Sequence, residues 1–450
     1  MLFFLFFLLF IIAIFSIKKC LKSGNNILYI VFLSTFTLYY IVVPMLLSLY
    51  AQNEQILSNS STFIKIIRNS PSADRIRALF IIAFTLFLII LLRNVVFRFK
   101  GVGNLVARTD TKVGDTCGLY SALHITGLVF LLIGGISLLI LSFELGSLSK
   151  MLSLGATIRG YQTSNDQYLS PFGAIAKTLS MFCTGSFFCF FSVRKRYNNK
   201  LLLVISFIFS IIVLLFNAGR GTLIVFGGSI ILSYLAERRK RITWLVIISF
   251  IGIAAFSSSL EIVMNNLANG LGPFSNLNYN FTENIISTIG DLSFPYANVI
   301  EFPNIIKTSG YNYFTDYLTW IFQIIPKRVF SLIGIPLPDI KLVTLNVSNY
   351  YIHCGMSIGG TPADFITFGL FQLNILGLCI NAIVYTSLIK IMNKIVVNAP
   401  IDCAIIKYRT CFFVYSVITG GDLPLLIKNN LFLIIILIII KHFMGADGYD

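Results

Sequence analysis

The sequence predicts an all-α polytopic membrane protein, and three observations carry that reading. Hydrophobic residues make up 56% of the 450-residue chain and charged ones only 12%, far from the balance of a soluble domain. The apolar residues gather into runs of about 20, enough for a helix to cross about 30 Å of hydrocarbon. The formal charge of +16 lies mostly in short loops beside those runs, as in the cytoplasmic loops of membrane proteins, so no nucleic-acid partner is implied.

Run length places about eleven crossings, at residues 2–17, 27–50, 78–93, 119–142, 172–192, 201–217, 221–236, 242–260, 365–389, 403–420 and 424–440. The opening "MLFFLFFLLFIIAIFSIKK" carries its lysines after the apolar run and shows no small-residue cleavage site. It is expected to be a retained first span and not a signal peptide. Basic clusters at Lys18, Lys19 and Lys22, at Arg93, Arg98, Lys100, Arg108 and Lys112, at "RKRYNNK" and at "ERRKR" alternate with loops poorer in charge. They mark the inner side. The N-terminus is then outside and the tail "KHFMGADGYD" inside. Lys407, Arg409 and Lys428 intrude on the last two spans, near helix ends from which they can snorkel.

The chain thus divides into residues 1–260, with eight helices and two smaller outer loops, a large outer loop at 261–364, and residues 365–450 with three helices and the tail. The smaller outer loops are 51–77 and 143–171. So long a loop as 261–364 is expected to fold into short helices with a function. Within it "YNYFTDYLTWIFQIIPKR" spaces Phe314, Tyr317, Leu318, Ile321, Ile324 and Ile325 at helical intervals, which predicts a helix on the membrane surface. No internal repeat is evident, which argues against an inverted-repeat transporter.

Metal chemistry has little to use. Of the three histidines only His353 falls in an outer segment, and of the eight cysteines only Cys354 does; no zinc spacing or disulfide framework results. Glu54 and Asp74 in the first outer loop are far apart.

Anion binding is better supported. In "LLFNAGRGTLIVFGG" Arg220 stands at an outer turn just before a helix start, where unpaired N–H groups and the helix dipole favour negative charge. Gly219 and Gly221 keep side chains away from an approaching phosphate, and the guanidinium fork suits phosphate oxygens. A second helix start on that side, "GGTPADFITFGLFQLNILG", has Gly360 before Thr361 as N-cap, Pro362 at the first helical position and Asp364 completing a capping box. Arg159 in "ATIRGYQ", with Lys327 and Arg328 after Pro326, add cations from separate outer segments.

Three of these stretches, "NAGRGTL", "SGYNYFTDYLTWIFQIIPKR" and "GGTPADFITFGLFQLNILG", resemble in order and placement the motifs of Wzy-type O-antigen polymerases, the oligosaccharide repeat unit polymerase family. The resemblance covers roughly residues 214–380. Two departures stand out: Lys327 precedes Arg328 where the family has Arg directly after Ile-Pro, and Gly420 and Gly421 in "ITGGDLP" stand where an arginine is expected.

The resemblance implies a GT-C-like bundle in a bacterial inner membrane, acting at its periplasmic face. The growing glycan would pass from undecaprenyl pyrophosphate to a fresh undecaprenyl-pyrophosphate-linked oligosaccharide. No metal, nucleotide sugar or other cofactor is expected; the bilayer and a chain-length regulator protein are the implied partners. Arg220 and Arg328 would bind pyrophosphate, with Arg159 and Lys327 next. Charge-assisted bonds of about 1.5 to 3 kcal/mol each would stabilise the leaving group. The proton acceptor is open among Glu283, Asp291, Glu301, Asp316, Asp339, His353 and Asp364. Tyr311, Tyr313, Tyr317 and Trp320 could stack on sugars or lie in the headgroup belt. An O-antigen ligase is the alternative within enzymes. A flippase or transporter of the same lipid-linked sugar is the alternative outside them, with Lys177 its main charge inside a span.

Overall fold

The computed structural model describes residues 2–22, 26–50, 62–96, 113–152, 154, 169–217, 220–237, 289–325, 330, 342–354 and 361–444. All regular structure among them is helical. Among the described residues six helices are long and apolar enough to cross a membrane, or seven if the bent pair Leu423–Asn429 and Leu431–Met444 is one span. Two shorter apolar helices, Lys200–Phe216 and Gly221–Glu237, accompany them. The span expected at 242–260 lies outside the described residues.

In chain order the helices used below are α1 (Leu2–Lys22), α2 (Ile27–Thr37, continuing through a π-helical turn at Leu38–Val42), α3 (Ser72–Val96) and α4 (Val113–Glu144). Then come α5 (Phe182–Val193), α6 (Arg220–Glu237), α7 (Phe294–Ser309), α8 (Thr315–Ile324) and α9 (Val343–His353). Last are α10 (Phe365–Asn398), α11 (Ala404–Thr419), α12 (Leu423–Asn429) and α13 (Leu431–Met444).

Two sets of contacts define the ends of the bundle. At one end the Leu28 amide donates to Asn393 Oδ1 at 3.2 Å, Tyr29 donates to the Ile89 carbonyl at 3.0 Å, and Arg93 lies over the Tyr29 ring. The same end joins Arg194 to Glu237 at 2.5 Å and Lys195 to Asp402 at 2.9 Å. The described parts of the basic clusters gather here, as the loop charges predict. At the opposite end Tyr39 meets Tyr415, Arg77 donates to the Ile300 carbonyl at 2.8 Å, and Asn298 bonds Asp364.

Several expectations change. Asp74, Arg75 and Arg77, read as outer loop, lie in the first turns of α3. The surface helix of the long loop is Thr315–Ile324, and it is anchored on the bundle: Asp316 is fully buried while Leu318 stays 78% exposed. Thr361 is not the N-cap of α10. Residues 361–364 are not helical, and Asp364 caps the helix by accepting from the Ile366 and Thr367 amides at 3.1 Å. Thr361 is held elsewhere, its carbonyl accepting from Ser348 Oγ at 2.9 Å.

The largest correction concerns α10 itself. Leu373 and Asn374 leave helical geometry, Asn374 with φ 51°. A straight helix would hold residues 365 and 381 about 24 Å apart, yet Asn381 Nδ2 donates to the Phe365 carbonyl at 2.8 Å. Residues 365–372 therefore fold back along 375–398 as a hairpin. Gly369 and Gly377 permit it, since a Cβ on Gly369 would meet Leu378 Cα at 2.9 Å and one on Gly377 the Gly369 carbonyl at 2.4 Å. The final span breaks likewise, by 74° between α12 and α13.

Candidate functional site

Three carboxylates lie in the described interior of the end away from the basic clusters: Asp316 and Asp364 at 0% exposure and Asp422 at 1%. Each stands at the start of a short helical piece: Asp316 in the first turn of α8, Asp364 before residues 365–372, and Asp422 before α12. Carboxylates suit those places because they accept from orphan amides and oppose the positive helix end.

Asp364 is the most heavily bonded. Besides its two cap amides it accepts from Tyr40 Oη and from Asn298 Nδ2, the latter at 3.0 Å. Tyr351 donates to Asn298 Oδ1 at 2.9 Å, and Asn298 also reaches the Pro362 carbonyl at 3.1 Å. Tyr40 gets there from the π-helical turn, four residues before Pro44. A proline lacks the N–H that an α-helix needs and crowds the carbonyl four residues back, and a π turn relieves both. With about four lone-pair sites on a carboxylate, Asp364 has little acceptor capacity left for a substrate. Its bonding is that of a structural hub tying α2, α7, α9 and α10 together.

Asp316 Oδ2 accepts from Asn312 Nδ2 and Gln372 Nε2, each at 2.7 Å. The turn leading to it has Tyr313 and Phe314 in left-handed conformation, with Gly310 also at positive φ. Such conformations cost about 1 kcal/mol or more for a residue with a side chain. The Asn312 amide on the Phe371 carbonyl, at 2.9 Å, holds the turn against the end of the short piece 365–372. The result presents Tyr313 outward, 65% exposed, while Tyr317 turns in to donate to Asn381 Oδ1 at 2.5 Å.

Asp422 was not among the sequence-derived candidates. Its Oδ2 accepts from the Thr344 amide at 3.1 Å, and Thr344 Oγ1 in turn accepts from the Ala363 amide at 3.3 Å. The Thr344 hydroxyl and the Leu425 amide ease its charge, but Oδ1 is buried without a hydrogen-bond partner. Burial first, and the Asp316 charge second, push this carboxyl, in the connection between α11 and α12, up to about 7. The preceding Gly421 touches the other helix start: a Cβ there would lie 2.6 Å from Phe365 Cα. Tyr385 Oη donates to the Gly421 carbonyl at 2.8 Å. "GGDLP" did carry a signal, an Asp before a helix with Pro in its first turn.

Arg220 is the first residue of α6. Lys195 joins Glu237 to Asp402, and Gly228 packs on the Phe412 ring, so α6 and α11 run antiparallel. Carrying that register eight residues further brings the Arg220 backbone level with Gly420, two residues before Asp422. Gly221 faces open space.

The remaining predicted residues that are described do not join the three carboxylates through any hydrogen bond of their side chains. Thr361 is buried with its hydroxyl unpartnered. His353 is exposed at the end of α9, Nδ1 2.6 Å from the Asn349 carbonyl, and Trp320 is half-buried on α8. Arg159, Gly219, Lys327, Arg328 and Gly360 lie outside the described residues, as do Glu283 and Asp339. Among the described residues no group of three His, Cys, Asp or Glu could hold a metal ion, and all eight cysteines are free thiols. No family model, curated protein or solved structure matches the chain.

Proposed function

We propose that the chain is a multi-pass glycosyltransferase of the O-antigen polymerase kind. It would transfer a growing glycan from undecaprenyl pyrophosphate to a new lipid-linked repeat unit at the periplasmic face of a bacterial inner membrane. One observation carries the reading: segments that resemble the family's motifs, far apart in sequence, share one end of the bundle. Residues 310–317 bond directly to 371–381, and the Arg220 helix start comes level with Gly420. Arginine at a helix N-terminus suits a departing pyrophosphate, whose charge grows in the transition state. The exposed Tyr313 offers a ring face to a sugar. Arg328, Lys327 and Arg159 remain the other proposed pyrophosphate ligands.

In the host, deletion of the gene should leave lipid A-core capped with a single repeat unit on a polysaccharide gel. A retained long ladder removes the proposal, and bare core indicates a ligase. Arg220→Ala should abolish chain extension at normal membrane levels, with Arg220→Lys a poor substitute; full activity in the alanine variant removes Arg220 from the site.

A second reading has its own support. Helices broken within the bundle beside buried carboxylates, as at 372–375 and 429–431, are the construction of many transporters. Transport of the lipid-linked saccharide would leave repeat units stranded on the inner face after deletion.

A further inference from the structure

Native interiors leave few polar atoms without a partner, and each one asks for an explanation. Among the described residues ten buried side-chain atoms lack one, and five of these belong to Thr361, Thr367, Gln372, Thr386 and Asp422. All five flank the hairpin of α10 or the α12 start packed against it. Two are pure acceptors: Gln372 Oε1 and Asp422 Oδ1. The amide orientation of Gln372 is fixed by chemistry, because its nitrogen must face the Asp316 carboxylate oxygen 2.7 Å away. Its oxygen is therefore held beside that carboxylate, fully buried, with nothing to accept from.

The described groups around these two oxygens include two carboxylates and a helix end of negative sign. Residues 365–372 end at Gln372, so the negative end of that short helix points to the same place. The helix α8 that carries Asp316 packs on α12, and the Asp316 charge reaches the Asp422 carboxyl. No ion pair to Asp364 or Asp422 occurs among the described residues. Orphan oxygen acceptors buried beside carboxylates can be completed by a cation.

We propose that Gln372 Oε1 and Asp422 Oδ1, beside Asp316, bind one dehydrated monovalent cation that holds the α10 hairpin against α12. A monovalent ion fits better than a divalent one: the donors are oxygens, and no third carboxylate, imidazole or thiol joins them among the described residues. The site does not depend on the transferase reading.

The test is thermal unfolding of the purified full-length protein in detergent, at fixed pH and ionic strength, with sodium chloride replaced stepwise by choline chloride. Sodium should raise the midpoint saturably, as expected when a ligand binds only the folded state. Gln372→Leu and Asp422→Asn should each lose most of that shift, while Lys195→Ala at the basic end keeps it. If Asp422→Asn does not fold, the wild-type titration and Gln372→Leu still decide. Equal midpoints in sodium and choline overturn the proposal. So does an undiminished sodium shift in Gln372→Leu, or a stability that follows pH and ignores sodium, which would assign the orphan oxygens to a proton.

Discussion

At the basic end Lys195 reaches both Glu237 and Asp402 while 48% of its side chain stays exposed. At the opposite end Asp364 is closed from solvent and its donors come from α2, α7 and its own helix. Both ends join distant segments through polar bonds, but they do so in different dielectric surroundings. A pair in reach of water exchanges one set of hydrogen bonds for another, so its loss is small. A group that is buried has no such exchange, and removing one partner leaves the other stranded. The contrast teaches where the fold is rigidly specified: at the end where α10 and the α12–α13 pair break.

The sharpest way to break this comparison is to remove the hub. Asp364→Ala deletes a helix cap and strands the Tyr40 hydroxyl, which together should cost about 3 to 5 kcal/mol. Denaturant or thermal unfolding in detergent measures it, and a loss under about 1 kcal/mol would mean the network is not closed to water. Asp364→Asn should fall between, since its amide keeps one cap acceptor but sets a donor against Asn298 Nδ2.

A smaller effect comes from pH. The Asp422 carboxyl, pushed up to about 7 by burial and the Asp316 charge, binds its proton more tightly folded than unfolded. Stability is then highest below the ordinary carboxylate range and declines as pH rises to about 7, by at most about 4 kcal/mol, because the folded state must give up a proton it holds. In choline buffers the wild type should unfold more easily at pH 8 than at pH 5, and Asp422→Asn should flatten that difference. A wild-type midpoint that rises with pH reverses the sign and refutes the assignment.

Glycines at the two helix starts give a third contrast. Gly421→Ala drives a Cβ into the Phe365 backbone, at 2.6 Å from Cα and 2.8 Å from the nitrogen, and should cost about 1 to 3 kcal/mol. Gly221→Ala meets nothing within 4 Å and should be neutral or stabilise α6 by up to about 1 kcal/mol. Parallel unfolding curves of the two variants would separate close backbone approach from a general intolerance of alanine.

These positions also show what was legible in the sequence. The all-helical, multi-pass character could be read because hydrocarbon thickness imposes a run length, though six or seven of the eleven expected crossings appear as long apolar helices among the described residues, and the basic end could be read because loop charge marks it. The cap was misplaced by three residues because Thr361 and Asp364 both have cap chemistry. What decides between them is distant: Ser348 holds the Thr361 carbonyl and Thr344 holds the Ala363 amide. The break at Leu373 and Asn374 lies inside an apolar run with helical composition, and it is fixed by Asn312 in the turn before α8 and Asp316 in its first turn. Asp422 sits after a glycine, Gly421, that close contact with the Phe365 backbone requires, and such a long-range contact leaves no mark in the local sequence.

The smallest effect is the most discriminating for the basic end. Lys195→Ala removes the side chain that bridges Glu237 and Asp402 at 3.1 and 2.9 Å. Arg194 still pairs with Glu237, and Tyr120 still donates to Asp402, so neither carboxylate is left alone. With nearly half of the lysine in water, the loss should stay below about 1 kcal/mol and shrink further as salt rises from 0.1 to 1 M, where screening shortens from about 10 to 3 Å. A loss that is larger, or unchanged by salt, would show that water is excluded there too, and the difference between the ends would then be one of sign of charge alone.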